Sequence, residues 1–384
     1  MKRVRMGMVG GGQNAFIGSV HRMAAALDGK IDLVCGAFSR DHQNTLKTGR
    51  SLGLDESRLY KSYQDMFDQE AKLPENERME FVCIVTPNHL HVPISIAAAK
   101  AGFHIMCDKP AALNLAETKE LADVIEQTGV HYGLTHTYLG YPMVWQAQYL
   151  AAQPEFGAIR KVYVEYPQGW LAQDQENAGS KQAEWRTDPA RSGLAGCMGD
   201  IGTHAHSLAE FVTQSRMTEI AARLRTHVEG RLLDDDGEMS FTLANGATGV
   251  LTSSQVCVGE ENSLKIRVYG ENRSLEWHQM EPNTLIERRA DGPYLIHRAG
   301  VDKPLCDAAL AKCRLPSGHP EGYIEAFANL YREFAAKIRA TGKEADAITS
   351  VPSMDEALSG MAFLEALVES HANNGIFTKI EGAS

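Results

Sequence analysis

No two of the seven cysteines, at positions 35, 83, 107, 197, 257, 306 and 313, are spaced as a C-x-x-C pair. An odd, scattered set in apolar runs argues against a disulfide framework and fits reduced, mostly buried thiols of a cytoplasmic protein. Long apolar runs are missing too, so no stretch is suited to span a membrane. The opening residues, MKRVRMGMVGGG, have no signal-peptide h-region or small-residue cleavage site, and they enter a short strand instead. Positive charge is in deficit. The 38 Lys and Arg against 49 Asp and Glu leave a net charge of -11, which argues against nucleic acid as a main partner. Internal repeats and low-complexity segments are absent. What remains is 384 residues, 43% hydrophobic and 23% charged, an ordinary globular composition of two-domain length.

The first 135 residues alternate strand and helix. Residues 4–9 form an apolar run that ends in Gly10-Gly11-Gly12, with Gly18 further on. Val20, Met23, Ala24 and Leu27 then recur at helical spacing. Strand, glycine turn and helix together make the setting of a dinucleotide site. There glycine lets backbone N–H groups approach a pyrophosphate at a helix start. The spacing is stretched, because residues 13–17 separate Gly12 from Gly18, where the fingerprint has two residues between its second and third glycines. A glycine turn with no ligand is the competing reading. Strand 31–37 ends in Ser39-Arg40 instead of an acidic residue that would hold ribose hydroxyls. Arg40 could meet a 2′-phosphate or open the next helix, so NAD and NADP both stand.

Strand 81–85 runs into Thr86-Pro87-Asn88-His89-Leu90-His91. A further short strand ends at Asp108-Lys109-Pro110. Pro110 cannot extend a sheet ladder, and it biases Lys109 towards an extended pose at the strand's carboxyl end. That edge is where open α/β sheets bind ligands. The alternation predicts a parallel sheet with right-handed crossovers, which places the glycine turn, Thr86 and Lys109 on one edge.

After about residue 136 the pattern changes. A polar segment, 168–192, carries Trp170, Lys181, Trp185 and Arg186. Tryptophan faces can stack on sugar rings while Lys and Arg donate to hydroxyls, or the tryptophans can simply cover the core. Small residues then lead into a helix bearing Asp200 and His204. Four apart, these share a helical face, as a carboxylate orienting an acid/base imidazole or as an ordinary surface pair. Strand-like runs over 218–278, punctuated by Asp236-Gly237, Asn245-Gly246 and Gly270-Glu271-Asn272, predict a mostly antiparallel open sheet. Asp234-Asp235-Asp236 reads as a solvated loop rather than a metal site. His319 and Tyr323 open a long amphipathic helix and either reach a pocket or cap and pack. Met354 begins a final helix.

Five features in order resemble the Gfo/Idh/MocA family of nicotinamide-dependent oxidoreductases, and the likeness covers nearly the whole chain. They are Gly18-Ser19-Val20-His21, Thr86-Pro87-Asn88-His89-Leu90-His91, Asp108-Lys109-Pro110, Trp185-Arg186 and Gly199-Asp200-Ile201-Gly202-Thr203-His204. The resemblance implies an α/β protein with a Rossmann domain over 1–137. A substrate-binding and oligomerisation domain follows over 138–384, with a final helix that packs back on the first. It implies a substrate held between them against the nicotinamide. The family's Glu-Lys-Pro lysine carries over to Lys109, and its Asp-x-Gly-x-His pair to Asp200 and His204. It further implies cofactor contacts at Gly10, Gly12, Gly18, Ser39, Arg40, Thr86, Pro87, Asn88, His91 and Lys109. The chain departs from the pattern in three places: Asp108 replaces glutamate, Leu194-Ala195 replaces two glycines, and Ser207 stands where many members have another aspartate.

The expected reaction moves a hydride between the nicotinamide of NAD or NADP and a secondary hydroxyl of a sugar, glycoside or inositol. Lys109, Asp200 and His204 are expected to catalyse it. Trp170, Lys181, Trp185, Arg186, His319 and Tyr323 are the pocket candidates beside them. A homo-oligomer, dimer or tetramer, is expected through the family alone. Three alternatives remain: a glycosidase that oxidises its sugar transiently, a non-catalytic nucleotide sensor, and a metal hydrolase using His89/His91 and His204/His206. The last lacks a carboxylate ligand pattern.

Overall fold

Five short apolar strands build the first sheet: β1 (Val4–Gly10), β2 (Ile31–Ala37), β3 (Phe81–Val85), β4 (His104–Cys107) and β5 (Tyr132–Leu134). In the computed structural model, which describes residues 2–13, 15–301, 305–340 and 351–382, they pair in the order β2-β1-β3-β4-β5. All pairs are parallel. All five residues of β3 are buried, as a strand covered on both faces requires. The order reverses between β1 and β3, so their carboxyl ends form the switch point at which such sheets bind ligands.

The second sheet has nine strands. These are β6 (Lys161–Pro167), β7 (Met217–Arg225), β8 (Asp236–Leu243), β9 (Thr248–Ser254), β10 (Lys265–Tyr269), β11 (Arg273–His278), β12 (Thr284–Arg289), β13 (Leu295–Arg298) and β14 (Thr378–Lys379). Their order is β13-β12-β11-β10-β6-β9-β8-β7-β14. Every neighbouring pair is antiparallel except β6 with β9. Burial along β6 and β10 alternates, so one face is covered and one is open. The helix Thr203–Thr213 packs on the covered face, with residues 203–210 all buried. β12, β13 and β14 were not foreseen, because charged and polar residues break their alternation.

The chain divides into two compact units, Met1–Thr135 with Phe327–Leu358, and His136–Ala326 with Ser359–Ser384. Residues 327–358 therefore join the first unit, although the sequence reading put everything after 137 in the second. The final helix, expected to pack back on the first domain, is divided between the units, with Met354–Leu358 in the first. From Ser359 on, the helix Met354–Ala372 belongs to the second unit. There Ser359 donates to Glu210 at 2.9 Å, Phe363 stacks on His206 at 4.4 Å, and the Ala222 amide donates to Ser370 Oγ at 2.8 Å.

Among the described residues no helix is long and apolar enough to cross a membrane. The seven cysteines are all free, with Cys35, Cys83, Cys107 and Cys197 buried.

Candidate active site

Each unit carries its own cluster. In the first, β1 delivers the glycine turn. Gly10 has φ of +86°, and a Cβ there would lie 2.8 Å from the Val85 carbonyl oxygen at the end of β3. Gly11 and Gly18 meet Cα to Cα, so a side chain on either would push the helix Phe16–Leu27 off the turn. Gly12 donates to the Phe38 carbonyl at 3.0 Å. The Gln13 amide donates to Asn44 and Thr48, at 3.0 and 3.1 Å. The stretched spacing is thus absorbed by anchoring the turn to the next helix; position 14 lies outside the described residues. Ser39 is drawn into the start of that helix, exchanging hydrogen bonds with Thr45. Arg40 is exposed. At the end of β3, Thr86 Oγ1 is buried and has no hydrogen-bond partner. Pro87 and the buried Asn88 lead into the following helix. A bare glycine turn beside an orphaned hydroxyl at the switch point fits a dinucleotide.

His91 starts the helix that follows. It is buried, and its ring nitrogens lie 2.7 Å from the Pro110 carbonyl and 2.8 Å from that of Thr86. Both nitrogens face carbonyl oxygens, so His91 ties the end of β3 to the lysine turn.

Lys109 follows β4. Its amide donates to Asp108 Oδ1 at 2.9 Å, and Thr135 Oγ1 donates to the same oxygen at 2.8 Å. Asp108 Oδ2 faces His21 Nε2 at 3.8 Å. His21 is fully buried, with Nδ1 2.6 Å from the Tyr331 hydroxyl and 3.3 Å from Cys83 Sγ. Burial opposes a charge on His21, but Cys83 and Asp108 outweigh it and raise its pKa to about 9. Burial likewise pushes the Asp108 carboxyl up, yet His21, then Lys109 and His91, hold it well below the usual carboxylate range. Asp108 therefore pairs locally, although its side chain is shorter than the glutamate of the motif. Its main partner, His21, was quoted only as the end of the glycine-turn motif and given no role, because nothing in its local sequence points to a carboxylate 87 positions on.

The second unit brings the other candidates together. Met198–Gly202 forms a π-helical turn, and the α-helix begins only at Thr203. The wider turn changes the spacing on which the Asp200–His204 pairing was predicted. Asp200 Oδ2 accepts from Arg186 Nε at 3.2 Å and from Gln255 Nε2 at 2.9 Å. The Arg186 guanidinium lies over the Trp185 ring at 4.2 Å and over Trp170 at 5.9 Å. Trp170, Trp185, Arg186 and Asp200 are thus one assembly.

His204 is 9% exposed and sits among rings. Its Nδ1 is 3.5 Å from His136 Nδ1, and its ring meets Tyr138 edge-on at 4.7 Å. Tyr138 and Tyr166 are hydrogen-bonded to each other. Tyr166 donates to Asn262 Oδ1 at 2.6 Å, and Asn262 Nδ2 donates to Tyr138 at 2.9 Å. Every hydroxyl in this ring of three donates once and accepts once. Burial pushes both phenols up, so they stay neutral. Gln168 links the ring outward, donating to Asn262 at 2.7 Å and accepting from Trp170 Nε1 at 3.1 Å. His136, Tyr138, Tyr166, Asn262 and Gln255 were missed. In sequence they read as core aromatics and loop amides.

Lys181 is exposed at the start of the helix Lys181–Arg186. His319 is also exposed, bonded to the Pro316 carbonyl in its own turn. Neither joins the assembly. Tyr323 does come near, 6.1 Å from the Tyr138 ring. His206 turns to Glu210 at 3.3 Å, and among the described residues no three His, Cys, Asp or Glu are grouped to hold a metal.

Residues 4–136 match an oxidoreductase family with an NAD-binding Rossmann fold, and residues 144–276 match the GFO/IDH/MocA C-terminal domain. The uncharacterized oxidoreductase YfiI of Bacillus subtilis is 33% identical over 380 residues, 97% of this chain and 96% of that protein. An inositol dehydrogenase homologue of Azotobacter vinelandii, solved with NAD+, superposes with a TM-score of 0.94 at 33% identity, covering 98% of this chain and 97% of that one. Its structure with NADH and myo-inositol gives 0.91 at 32% identity, with 98% of each chain covered. The five-stranded parallel sheet with its glycine turn, the second mostly antiparallel sheet and these matches over both halves agree: the chain belongs to the GFO/IDH/MocA family of oxidoreductases, and its first unit is an NAD-binding Rossmann domain.

Proposed function

We propose that this protein is a dehydrogenase acting on a secondary hydroxyl of a polyhydroxylated ring, an inositol or a sugar, with NAD as its acceptor. The observation that carries this reading is the Trp170–Trp185–Arg186–Asp200 assembly. Aromatic faces suit the C–H surface of such a ring, while the polar groups at their edge suit its hydroxyls. The relative solved with NADH and myo-inositol supports the same substrate class.

Gly10, Gly12, Gly18 and Thr86 hold the dinucleotide, and Ser39 and Arg40 lie on its ribose side. When bound, the nicotinamide accepts the hydride. His204 takes the hydroxyl proton, as an imidazole does near neutral pH. Lys109 donates to the reacting oxygen and stabilises its developing negative charge. Asp200, with Arg186 and Gln255 on one oxygen, orients a neighbouring hydroxyl or His204 itself.

Purified protein screened with NAD and NADP against inositols, monosaccharides and glycosides tests the reading. NADH formation with one class of ring alcohol is expected. Aglycone release without net NADH would replace it with the transient-oxidation glycosidase.

A further inference from the structure

The run Asp234-Asp235-Asp236, expected to be a solvated loop, is instead largely buried: Asp234 is 8% exposed and Asp235 is fully enclosed. Two carboxylates without water must be satisfied by donors, and the donors define two directions. Asp234 points to the catalytic turn. Its Oδ1 accepts the Gly196 amide at 2.6 Å and its Oδ2 the Met198 amide at 2.8 Å, while its carbonyl accepts the Cys197 amide at 2.8 Å. Three successive amides therefore end on one residue. A side chain at Gly196 would collide with the Asp234 carbonyl. Directly after these amides comes the π-turn that carries Asp200, and then the helix of His204.

Asp235 points the other way. It accepts the His227 and Val228 amides and Arg231 Nη1, the last at 3.0 Å. The Arg231 side chain is 1% exposed. Its Nε and Nη2 hold the two oxygens of Glu176 at 2.8 and 2.9 Å. Its remaining donors reach the carbonyls of Leu171 and Gln173 at 3.1 and 3.3 Å. All three contacts lie in the segment that carries Trp170. A guanidinium with five fixed donors can make this set; an ammonium cannot.

We propose that residues 231–235 are a two-armed positioning clamp, in which Asp234 sets the turn presenting Asp200 and His204, and Arg231 with Asp235 sets the loop presenting Trp170. The first arm governs turnover and the second governs substrate recognition, an assignment that rests on the dehydrogenase reading.

The test compares Asp234→Asn with Arg231→Lys in the full-length protein. Myo-inositol is the probe, or whichever panel alcohol the wild type oxidises fastest. Asparagine can accept only one of the two amides. Asp234→Asn is expected to lower kcat about tenfold or more with a smaller rise in KM through Asp200, since small misplacements of reacting groups are amplified in rate. Arg231→Lys is expected to raise KM about tenfold with kcat nearly unchanged. Amide hydrogen exchange without substrate gives a second readout. Exchange over 194–200 should quicken only in Asp234→Asn, and over 169–176 only in Arg231→Lys. Wild-type exchange in both regions, or kcat and KM shifting together in both variants, overturns the clamp. If Asp234→Asn does not fold, Arg231→Lys decides alone by the same criteria. If the wild type oxidises nothing on the panel, the dehydrogenase reading falls while the exchange pattern still decides the clamp.

Discussion

The two clusters hold their candidate catalytic groups, Lys109 and His204, by different means. Behind Lys109 stands a buried ion pair: His21 faces Asp108 at 3.8 Å and leans on Tyr331 and Cys83. Beside His204 stands a closed ring of Tyr138, Tyr166 and Asn262, whose phenols burial keeps neutral, and the His136 ring lies 3.5 Å from its Nδ1. An ionic support holds firmly but depends on protonation and is costly to break on one side only. A neutral ring holds less firmly, yet it does not titrate in the range where a histidine must. The reason for the difference is chemical. A lysine that serves as a donor tolerates a charged neighbour, whereas a histidine proposed to take up a proton is served by phenols that do not titrate alongside it.

Four variants sharpen or break this contrast. His204→Ala removes the proposed proton acceptor, and steady-state oxidation should fall by about 10²–10⁴-fold. Lys109→Ala removes the proposed donor to the reacting oxygen and should reduce turnover by about 10²–10³-fold. Calorimetric NAD binding should survive in it, and lost binding would show that Lys109 serves the cofactor instead.

His21→Gln leaves Asp108 facing an uncharged group. Urea unfolding at neutral pH should show a loss of about 3 kcal/mol, the low end for breaking a buried pair because Asp108 is partly exposed. The sign of its pH dependence is fixed by the raised pKa. The stabilisation is complete below about 6.5, the unperturbed value, and disappears as pH rises through about 9. Asp108 contributes in the opposite sense, with stability present above the ordinary carboxylate range and lost as pH falls through its depressed pKa. Wild-type stability should therefore decline towards alkaline pH, and the variant's should decline less. Parallel curves would remove the ion pair from the account. Tyr138→Phe breaks the neutral ring and leaves Asn262 short of an acceptor, at about 1–3 kcal/mol, with no change in the shape of the pH curve between about 6 and 9.

Much of the frame was legible before the structure. Apolar runs that stop at Gly10, Thr86 and Lys109 read as parallel strands because glycine and proline punctuate them at one edge. Asp108, Asp200 and His204 were visible because their short motifs are local. What stayed hidden depends on distance or on burial of polar groups. Tyr331 touches His21 across 310 residues of chain. Tyr138, Tyr166 and Asn262 are scattered aromatics and an amide until the second sheet gathers them. Asp234 and Asp235 were misread for the same reason: three consecutive acids look solvated unless their donors, the Gly196 and Met198 amides and Arg231, are known to converge on them. The π-turn was missed because a one-residue widening leaves no mark on hydrophobic periodicity.

The central claim is that His204 is the proton acceptor in the oxidation of a ring alcohol. The most direct test is the rate of NADH formation by wild type and His204→Ala side by side across about pH 5 to 9. Oxidation needs the neutral imidazole, so the wild-type rate should rise through the histidine range while the variant stays low and flat there. A variant that keeps the wild-type profile would contradict the account.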